Sequence, residues 1–434
     1  MLKKQPIPFN LKHVHQFMVL MLVLRIVSYF MLSEELFITQ AIKAGLRTLL
    51  TAIVIVHGIA QIMKKEKVSI TVTQGLPLIL YCTYIFFGAA SLLWTSSFSQ
   101  SLMQWLMDLE TLVFTFFYMR MFLHYKLNDT NNELRVGKLL SGAVFIIAIG
   151  FFSGMMIDPD HYYRLTHGGE VSRLGGFIIN PNELGMLLVV GIAGFYTELR
   201  KDEKIRISII LKIAFLTYLL MLTGSRSSFI GFLLVSGIYA LTQPSKLFKS
   251  ILFIAMLFVV PIVGMQLFVT QSNAEEIGSL TGRLPFWKDL LTYNFPKEPW
   301  FGYGYMRIDY TDKFESINAY AGAMTHNTFL QVLLGLGLVG LLIVVLQLAS
   351  FIYAIISSKI NANRIAGFLI LIPLIINSLT EFGIFGETNY GILFYLILNF
   401  SFTLEPNACN YRITRSTNHY ESESDILNRS VAAA

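Results

Sequence analysis

The sequence predicts an all-α polytopic membrane protein with about 12 transmembrane helices, both termini in the cytoplasm and one large extracytoplasmic loop between helices 9 and 10. Of the 434 residues 54% are hydrophobic and only 14% are charged, and the mean hydropathy is +0.60. A soluble domain carries about 25% charged residues, so a soluble fold of this composition would expose large apolar patches to water. The composition therefore excludes soluble enzymes, disulfide-rich secreted proteins and disordered proteins.

Apolar runs long enough to cross the hydrocarbon core as helices recur along the whole chain. They lie at 14–32, 38–62, 74–94, 101–123, 137–157, 176–197, 206–223, 227–243, 249–269, 327–357, 364–380 and 388–404. The seventh and eighth runs are separated only by the hexapeptide 223–228, which contains Arg226. We interpret this hexapeptide as a turn between two helices, with Ser227 opening the second, because an arginine is costly at the bilayer centre.

The distribution of basic residues predicts the orientation. Lys and Arg cluster near the N-terminus and in alternate loops, for example at 64–67 and 200–206, so most of the 33 basic residues fall on one side. Basic loops remain in the cytoplasm, which places both termini inside. The net charge of +6 then reflects membrane orientation, and we expect no nucleic-acid partner.

The chain is predicted to contain a transmembrane domain, 1–404, and a polar, flexible cytoplasmic tail, 405–434. The segments 158–175 and 270–326 are the two long outer connections. Connections of this length are usually functional or disordered, and the aromatic residues of 270–326 argue against disorder. We expect this loop to form a catalytic lid with a short helix near 283–293, in which Trp287 and Trp300 stack on sugars.

Three motifs at the predicted outer face have side chains suited to chemistry. Arg226 at a helix junction and Arg283 beside aromatic residues suit an anion such as phosphate. His326, followed by Asn327 at the start of the tenth run, has a ring that can take a proton from a hydroxyl near neutral pH. Each has a structural alternative: an arginine reaching the headgroups, a loop arginine over an aromatic ring, or a helix-capping cluster.

Other polar residues lie at the same predicted face. Arg173 and Asn182 flank the start of the sixth run, Glu381 follows the eleventh, and Asp108 and Glu110 lie within the fourth. Carboxylates are costly inside a membrane and are therefore functional candidates. A substrate role and a salt bridge to the arginines both remain open for them.

A glycine pattern in the tenth run is not interpreted as a nucleotide site. Gly335, Gly337 and Gly340 match the dinucleotide-binding spacing, but no strand precedes them. We interpret these glycines as a surface for close helix packing.

Several motifs together resemble the O-antigen ligase and Wzy-type polysaccharide polymerase family. They are Thr-Gly-Ser-Arg-Ser at 223–227, Gly-Arg followed by Trp at 282–287, the Gly-Tyr-Gly stretch at 302–304, and His-Asn at 326–327. Asn-Pro-Asn at 180–182 is also common in that family. The resemblance implies a GT-C-like glycosyltransferase of the bacterial cytoplasmic (inner) membrane, with its active site on the extracytoplasmic face and with neither cofactor nor metal.

The resemblance also implies roles for individual residues. Arg226 and Arg283 would hold the donor's diphosphate and neutralise the leaving group, and His326 would activate the acceptor hydroxyl in an inverting reaction. The remaining candidate substrate-binding residues are Arg173, Asn182, Trp287, Trp300, Tyr303, Asn327 and Glu381.

The implied partners are an undecaprenyl diphosphate-linked oligosaccharide, a growing glycan or lipid A core acceptor, the lipid bilayer, and a flippase and a chain-length regulator. We favour a polymerase of O-antigen, capsule or exopolysaccharide, because the long loop is rich in aromatic residues; an O-antigen ligase stays open. A transporter of an anionic solute is the alternative of another class. Transporters usually show internal repeats and midplane sites, whereas the polar residues here concentrate at one face.

Overall fold

The computed structural model describes residues 11–63, 72–127, 134–166, 171–201, 206–243, 249–250, 254, 257, 261, 283–305, 325–381, 383–386 and 388–404. In this part of the chain the helices are α1 (Leu11–Val27), α2 (Leu36–Met63), α3 (Val72–Ala90), α4 (Phe98–Leu127), α5 (Val136–Ile157), α6 (Pro159–Tyr162), α7 (Pro181–Lys201), α8 (Ile207–Thr223), α9 (Arg226–Leu241), α10 (Arg283–Asp289), α11 (Thr328–Ser357), α12 (Asn361–Thr380) and α13 (Tyr390–Thr403).

Short irregular elements complete the described structure. A 3-10 turn, Ser91–Leu93, follows α3, and a π turn, Leu290–Asn294, and a 3-10 turn, Phe295–Lys297, follow α10. The strands β1 (Tyr163–Thr166) and β2 (Val171–Leu174) form an antiparallel hairpin.

The predicted all-α architecture is confirmed by the helices. Eleven of the predicted apolar runs coincide with helices, and the ninth, 249–269, lies almost wholly outside the described residues. Within the described ranges, five helical segments are long and apolar enough to cross a membrane: Phe37–Ala60, Gly75–Leu93, Val136–Ile157, Thr328–Ser357 and Asn361–Thr380. The helices α8, α9 and α13 are apolar but shorter. The number of twelve spans and their orientation stay predictions.

The outward-facing surfaces of the helices are apolar. Phe37, Phe86 and Leu241 are exposed by 81%, 77% and 76%. Apolar surface on this scale is unusual for a monomeric soluble protein and typical of a surface that faces lipid. The exposed apolar side chains therefore agree with the membrane protein that the composition predicts.

Helix α7 lies at the centre of the bundle. It packs against α5, α8, α9 and α12, and its residues from Leu184 to Phe195 are buried. The helices approach closely where both have glycine, since a Cβ at Gly194 would lie 2.6 Å from the carbonyl oxygen of Gly137. This packing of small residues, common between membrane helices, holds α7 against α5 in the C-terminal half of α7.

The segment 158–175 was expected to be a loop and instead contains α6 and the hairpin. The hairpin register places Arg164 opposite Arg173. Hydrophobic periodicity cannot reveal strands of four residues, because two alternations are too few to distinguish from chance.

The segment 283–305 contains the helix predicted near 283–293, as α10 and the π turn. Beyond it the chain crosses α11, where the amides of Tyr303 and Gly304 donate to the carbonyls of Leu334 (3.0 Å) and Gly335 (2.8 Å). Gly337 has a φ of +66° and interrupts α11 there. The remaining residues of 270–326, apart from 325 and 326, and the tail 405–434 lie outside the described part.

The glycine pattern in α11 was predicted to form a surface for packing against another helix, and the structure corrects this prediction at the crossing. A Cβ at Gly337 would collide with the backbone of Trp300. Gly335 and Gly337 therefore admit an irregular peptide segment, whereas the sequence suggested another helix.

Candidate active site

Glu381 follows the last residue of α12 and is the centre of a network of polar side chains. Only 2% of it is exposed. Its Oε1 accepts hydrogen bonds from Asn182 Nδ2 (2.7 Å) and Arg283 Nη2 (3.0 Å), and its Oε2 lies 2.6 Å from His326 Nδ1. The network therefore joins the start of α7, the start of α10 and the residues before α11.

Glu381 is held in its ionised form by these partners. Burial by itself would raise the pKa of Glu381, because a low dielectric disfavours a charge. The charge and hydrogen bond of His326, the charge of Arg283 and the amide of Asn182 outweigh burial and lower the pKa from 4.5 to about 2. A carboxylate only accepts hydrogen bonds, so Nδ1–H of His326 is the donor, and whenever the ring is neutral its Nε2 has the lone pair. This arrangement orients a general base.

His326 has an unusual backbone conformation. Among the described residues it is the only non-glycine residue with a positive φ, +48°. Asn327 caps α11 by accepting from the amide of Leu330 at 3.0 Å, and Trp287 Nε1 donates to the carbonyl of Thr325 at 2.7 Å. Strained residues of this kind persist where the surroundings fix them, and they cluster at functional sites.

Arg283 is the first residue of α10 and binds both Glu381 and the helix end before it. Its Nη1 donates to the carbonyl of Thr380 and its Nη2 to Glu381. Its buried Nε has no hydrogen-bond partner among the described residues. Helix α10 is held against α11 by the apolar cluster of Phe286, Leu290, Leu330 and Leu334.

Arg173 joins the hairpin to the same network. Its Nε donates to the carbonyl of Thr223 at the end of α8 (2.7 Å), and its Nη2 donates to Asn182 Oδ1 (2.6 Å). The amide of Asn182 therefore bridges Arg173 and Glu381. These contacts bring Arg173, Asn182, Arg283, His326 and Glu381 together, all of which the sequence predicted as site residues.

The arginines at this site repel one another. Burial and the positive charges of Arg164, Arg226 and Arg283 together lower the pKa of Arg173 to about 10, while Glu381 acts in the opposite sense. Arg173 thus lies within the electrostatic reach of three other guanidinium groups and of one carboxylate. The excess positive charge favours binding of an anion with the charge of a phosphate group.

Arg226 is the first residue of α9, one residue earlier than the sequence suggested. Ser225 is the N-cap and accepts from the amide of Ser228. The hydroxyl of Ser228 donates to the carbonyl of Asn182 at 3.1 Å, which holds the start of α9 beside the start of α7. Arg226 therefore lies at a helix N-terminus, where the helix dipole adds to its own positive charge.

A cavity of about 370 Å³ opens beside this network. His326 and Glu381 line it together with Asn180, Glu183 and Tyr390. Pockets that hold small ligands have volumes of roughly 300–1,000 Å³. The proton-accepting ring is thus beside a space that fits part of a glycan.

Two of the predicted substrate-binding residues, Trp300 and Tyr303, lie outside the network around Glu381. Trp300 is 62% exposed, and its carbonyl accepts from the amide of Val339. Tyr303 is buried, donates to the carbonyl of Asn294 at 2.8 Å and lines a different cavity of about 390 Å³. Among the described contacts none joins either residue to Glu381, so stacking at this site gains no support.

The match with a known family lies in the same part of the chain. Residues 211–345 match the family model described as O-antigen ligase. The predicted O-antigen ligase family is confirmed. The matched segment contains Arg226, Arg283 and His326, whereas their partners Asn182 and Glu381 lie outside it. No curated protein matches the chain.

The family supports a membrane glycosyltransferase of the O-antigen ligase or polymerase type. The apolar helices agree with a multi-pass membrane protein. The site lies in the part of the chain that has the family's pattern and extends beyond it through Arg173, Asn182 and Glu381. The sequence alone did not indicate that Glu381 is the centre of the site.

The other carboxylates singled out from the sequence have structural partners. Glu110 forms salt bridges with Arg25 (2.6 Å) and Arg47 (2.8 Å). Asp108 accepts hydrogen bonds from Tyr305 and Thr388. The sequence left open whether each carboxylate has a substrate role or forms a salt bridge to an arginine. Of Asp108, Glu110 and Glu381, only Glu381 contacts a histidine.

Sequence reasoning did not select two further cavity residues, Arg47 and Arg164. Arg47 lies inside an apolar run and Arg164 in a segment interpreted as a loop. An arginine within an apolar run was the available signal for Arg47, since such residues usually mark substrate paths or buried pairs.

Proposed function

We propose that the protein is an inverting, metal-independent glycosyltransferase that joins undecaprenyl diphosphate-linked oligosaccharide repeat units into a cell-surface polysaccharide. The observation that carries this proposal is the His326–Glu381 pair, which lies among arginines at the edge of a cavity. The pair supplies a base for a hydroxyl, and the arginines supply positive charge for a phosphorylated leaving group. A polymerising glycosyl transfer needs both.

The donor's diphosphate would bind between Arg226 and Arg283. Arg283 opens α10 and Arg226 opens α9, and both act electrostatically on Arg173. Guanidinium groups bind phosphate oxygens through paired N–H groups. Positive charge placed where the leaving group develops its negative charge lowers the barrier for breaking the glycosidic bond to phosphate.

The acceptor hydroxyl would transfer its proton to Nε2 of His326 as its oxygen attacks the anomeric carbon. The new C–O bond forms on the face opposite the leaving group, so the configuration inverts. The bond between the anomeric carbon and the diphosphate oxygen breaks, and undecaprenyl diphosphate leaves with the electron pair. Glu381 stabilises the imidazolium and keeps the ring oriented, as a carboxylate does in a catalytic triad.

The site would face the extracytoplasmic side of the cytoplasmic membrane. The starts of α7, α9 and α11 and the end of α12 meet in this network, which places them at one end of the bundle. The basic residues of the predicted inner loops favour the other end for the cytoplasm.

O-antigen ligase activity is the second candidate, because the matching family model is described as O-antigen ligase. In that reaction the same base and arginines would serve, and the acceptor would be a lipid A core. The aromatic segment 299–305, on which the preference for a polymerase rests, packs on α11.

An assay with defined acceptors tests the proposal. Purified protein in lipid nanodiscs receives undecaprenyl diphosphate-linked repeat units alone, or the same units with lipid A core. A ladder of longer lipid-linked products without lipid A core supports the polymerase. Product only with lipid A core supports the ligase, and no glycan transfer under either condition would refute both.

A further inference from the structure

The cavity beside His326 has a basic wall that the reaction above does not use. Lys43 and Arg47 of α2 and Arg164 of β1 line this wall. The acidic residues that line the cavity are Glu183 and Glu381. Since Glu381 already binds His326 and Arg283, positive charge exceeds negative charge along the wall.

Arg47 lines this wall, and only two of its three guanidinium nitrogens make hydrogen bonds to described residues. Its side chain is more than nine-tenths buried, with 7% of the residue exposed. Its Nε (3.1 Å) and Nη2 (2.8 Å) donate to Glu110 Oε2, and Nη2 also contacts Thr111 Oγ1 and the carbonyl of Met107. The residues that the structure describes supply no acceptor for Nη1. Arg47 lines the cavity, so this nitrogen can donate a charge-assisted hydrogen bond to a ligand there.

The carboxylate that binds Arg47 is shared with a second arginine. Arg25, which is fully buried, donates to both oxygens of Glu110, at 2.8 and 2.6 Å. Two guanidinium groups therefore bind one carboxylate, and the cluster keeps one positive charge. Charge inside a membrane protein is costly and is retained where it serves a substrate or a pathway.

Arg164 adds a second positive group, which lies next to another positively charged residue. The hairpin register sets Arg164 directly opposite Arg173. Like charges at directly opposed positions destabilise a strand pair. An anion near Arg164 would relieve this repulsion, so the hairpin favours a bound negative charge at the wall.

We propose that Arg47 and Arg164, with Lys43, bind an anionic group of the acceptor, a phosphate or a sugar carboxylate, while the acceptor's hydroxyl faces His326. This inference rests on the proposed glycosyl transfer. The acceptor is the fitting occupant because a general base must lie within hydrogen-bond reach of the hydroxyl that it deprotonates, and His326 lines the same cavity. The donor's diphosphate is assigned to Arg226 and Arg283.

The rings of two tyrosines belong to the same cavity. Tyr29 and Tyr390 line it, with ring centroids 6.3 Å apart, and the guanidinium carbon of Arg47 lies 5.1 Å from the centroid of Tyr29. Aromatic faces can contact sugar rings, while the arginine fixes the charged end. The wall thus offers contacts for both parts of an anionic glycan.

Kinetics with separate donor and acceptor test the assignment. The donor is an undecaprenyl diphosphate-linked glycan. The acceptors are one repeat unit as a neutral alkyl glycoside, as an alkyl methylenebisphosphonate, and as an alkyl glycoside with a sugar carboxylate. For Arg47→Gln and Arg164→Gln we expect the KM for the anionic acceptor to rise about 10- to 100-fold, as for loss of a charge-assisted hydrogen bond. The KM for the anionic acceptor should rise more than the KM for the donor, and the KM for the neutral acceptor should change less than about threefold.

The arms of this experiment distinguish the source of the negative charge. A rise confined to the bisphosphonate identifies phosphate, and a rise confined to the carboxylated acceptor identifies a sugar acid. Lys288→Gln, an exposed lysine on α10, is the matched control for a simple change of net charge. It should leave every KM unchanged.

Other outcomes would overturn the inference. An unchanged KM for both anionic acceptors, or an equal rise for the neutral acceptor, excludes an anion site at this wall. Arg47→Gln leaves Arg25 and Glu110 as a neutral pair, so the variant is expected to fold; if it does not, Arg164→Gln alone decides. If the wild-type protein transfers glycan to none of the acceptors, the proposed function itself fails, which is a distinct result.

Discussion

Two carboxylates, the partly buried Glu110 and the buried Glu381, each bind arginines, and they differ in what else they bind. Glu110 contacts Arg25, Arg47 and the hydroxyl of Thr51, which are groups that only donate hydrogen bonds to it. Glu381 also contacts a histidine, which can give and take a proton. The same local chemistry thus supports a structural ion cluster in one place and a general base in the other.

The largest expected effect comes from removing the base. His326→Ala should lower the rate of glycan transfer about 10²- to 10⁴-fold, because general-base catalysis contributes about that factor. Product ladders from the nanodisc assay give the rate. His161→Ala, a histidine in the short helix α6 outside the network, is the control and should stay within about twofold. Equal activity of the two variants would remove His326 from the mechanism.

Replacing Glu110 should instead lower the stability of the fold. Glu110→Gln leaves two buried arginines without a counter-ion, which is expected to cost about 3–5 kcal/mol. Thermal unfolding in detergent measures the loss. The double variant Arg25→Met/Glu110→Gln restores the original net charge and should regain most of the stability. If the double variant is less stable than Glu110→Gln, uncompensated positive charge is not the cause of the loss.

The pKa of Glu381 predicts a stability effect that depends on pH. The folded pKa, about 2, lies below the ordinary value of 4.5. The stabilisation is therefore complete above about pH 4.5 and is lost as the pH falls through about 2, with a full size of about 3 kcal/mol. The difference in Tm between the wild type and Glu381→Gln should narrow as the pH falls from 4.5 towards 2. A difference that grows on acidification would contradict this.

The smallest effect is expected at the segment that positions the base. Trp287→Phe keeps the ring in the lid helix α10 but removes the hydrogen bond to the carbonyl of Thr325, which is worth about 0.5–1.5 kcal/mol. We expect a fall in kcat of about threefold to tenfold with little change in KM, because the backbone before His326 becomes less restrained. A change in KM alone would indicate that Trp287 contacts substrate instead.

The fold class was predictable because hydropathy is a local property. Each apolar run is long enough by itself to indicate a helix, so α1, α5 and α11 could be assigned without any knowledge of their neighbours. The four-residue strands β1 and β2 could not be assigned, since their pairing depends on α8 and α7 holding Arg173 in place.

The sequence by itself determined the membrane class, the family and the motif residues Arg226, Arg283 and His326, because these depend on composition and on short stretches of chain. Only the tertiary structure decided that Glu381 joins them, that Glu110 binds other arginines, and that the segment with Trp300 and Tyr303 packs on α11. The physical reason is that an ion pair between residues such as Arg283 and Glu381, 98 positions apart, exists only after helix packing has brought them together. Hydrophobic patterns specify which segments enter the membrane, and the packing of those segments selects which carboxylate meets the histidine.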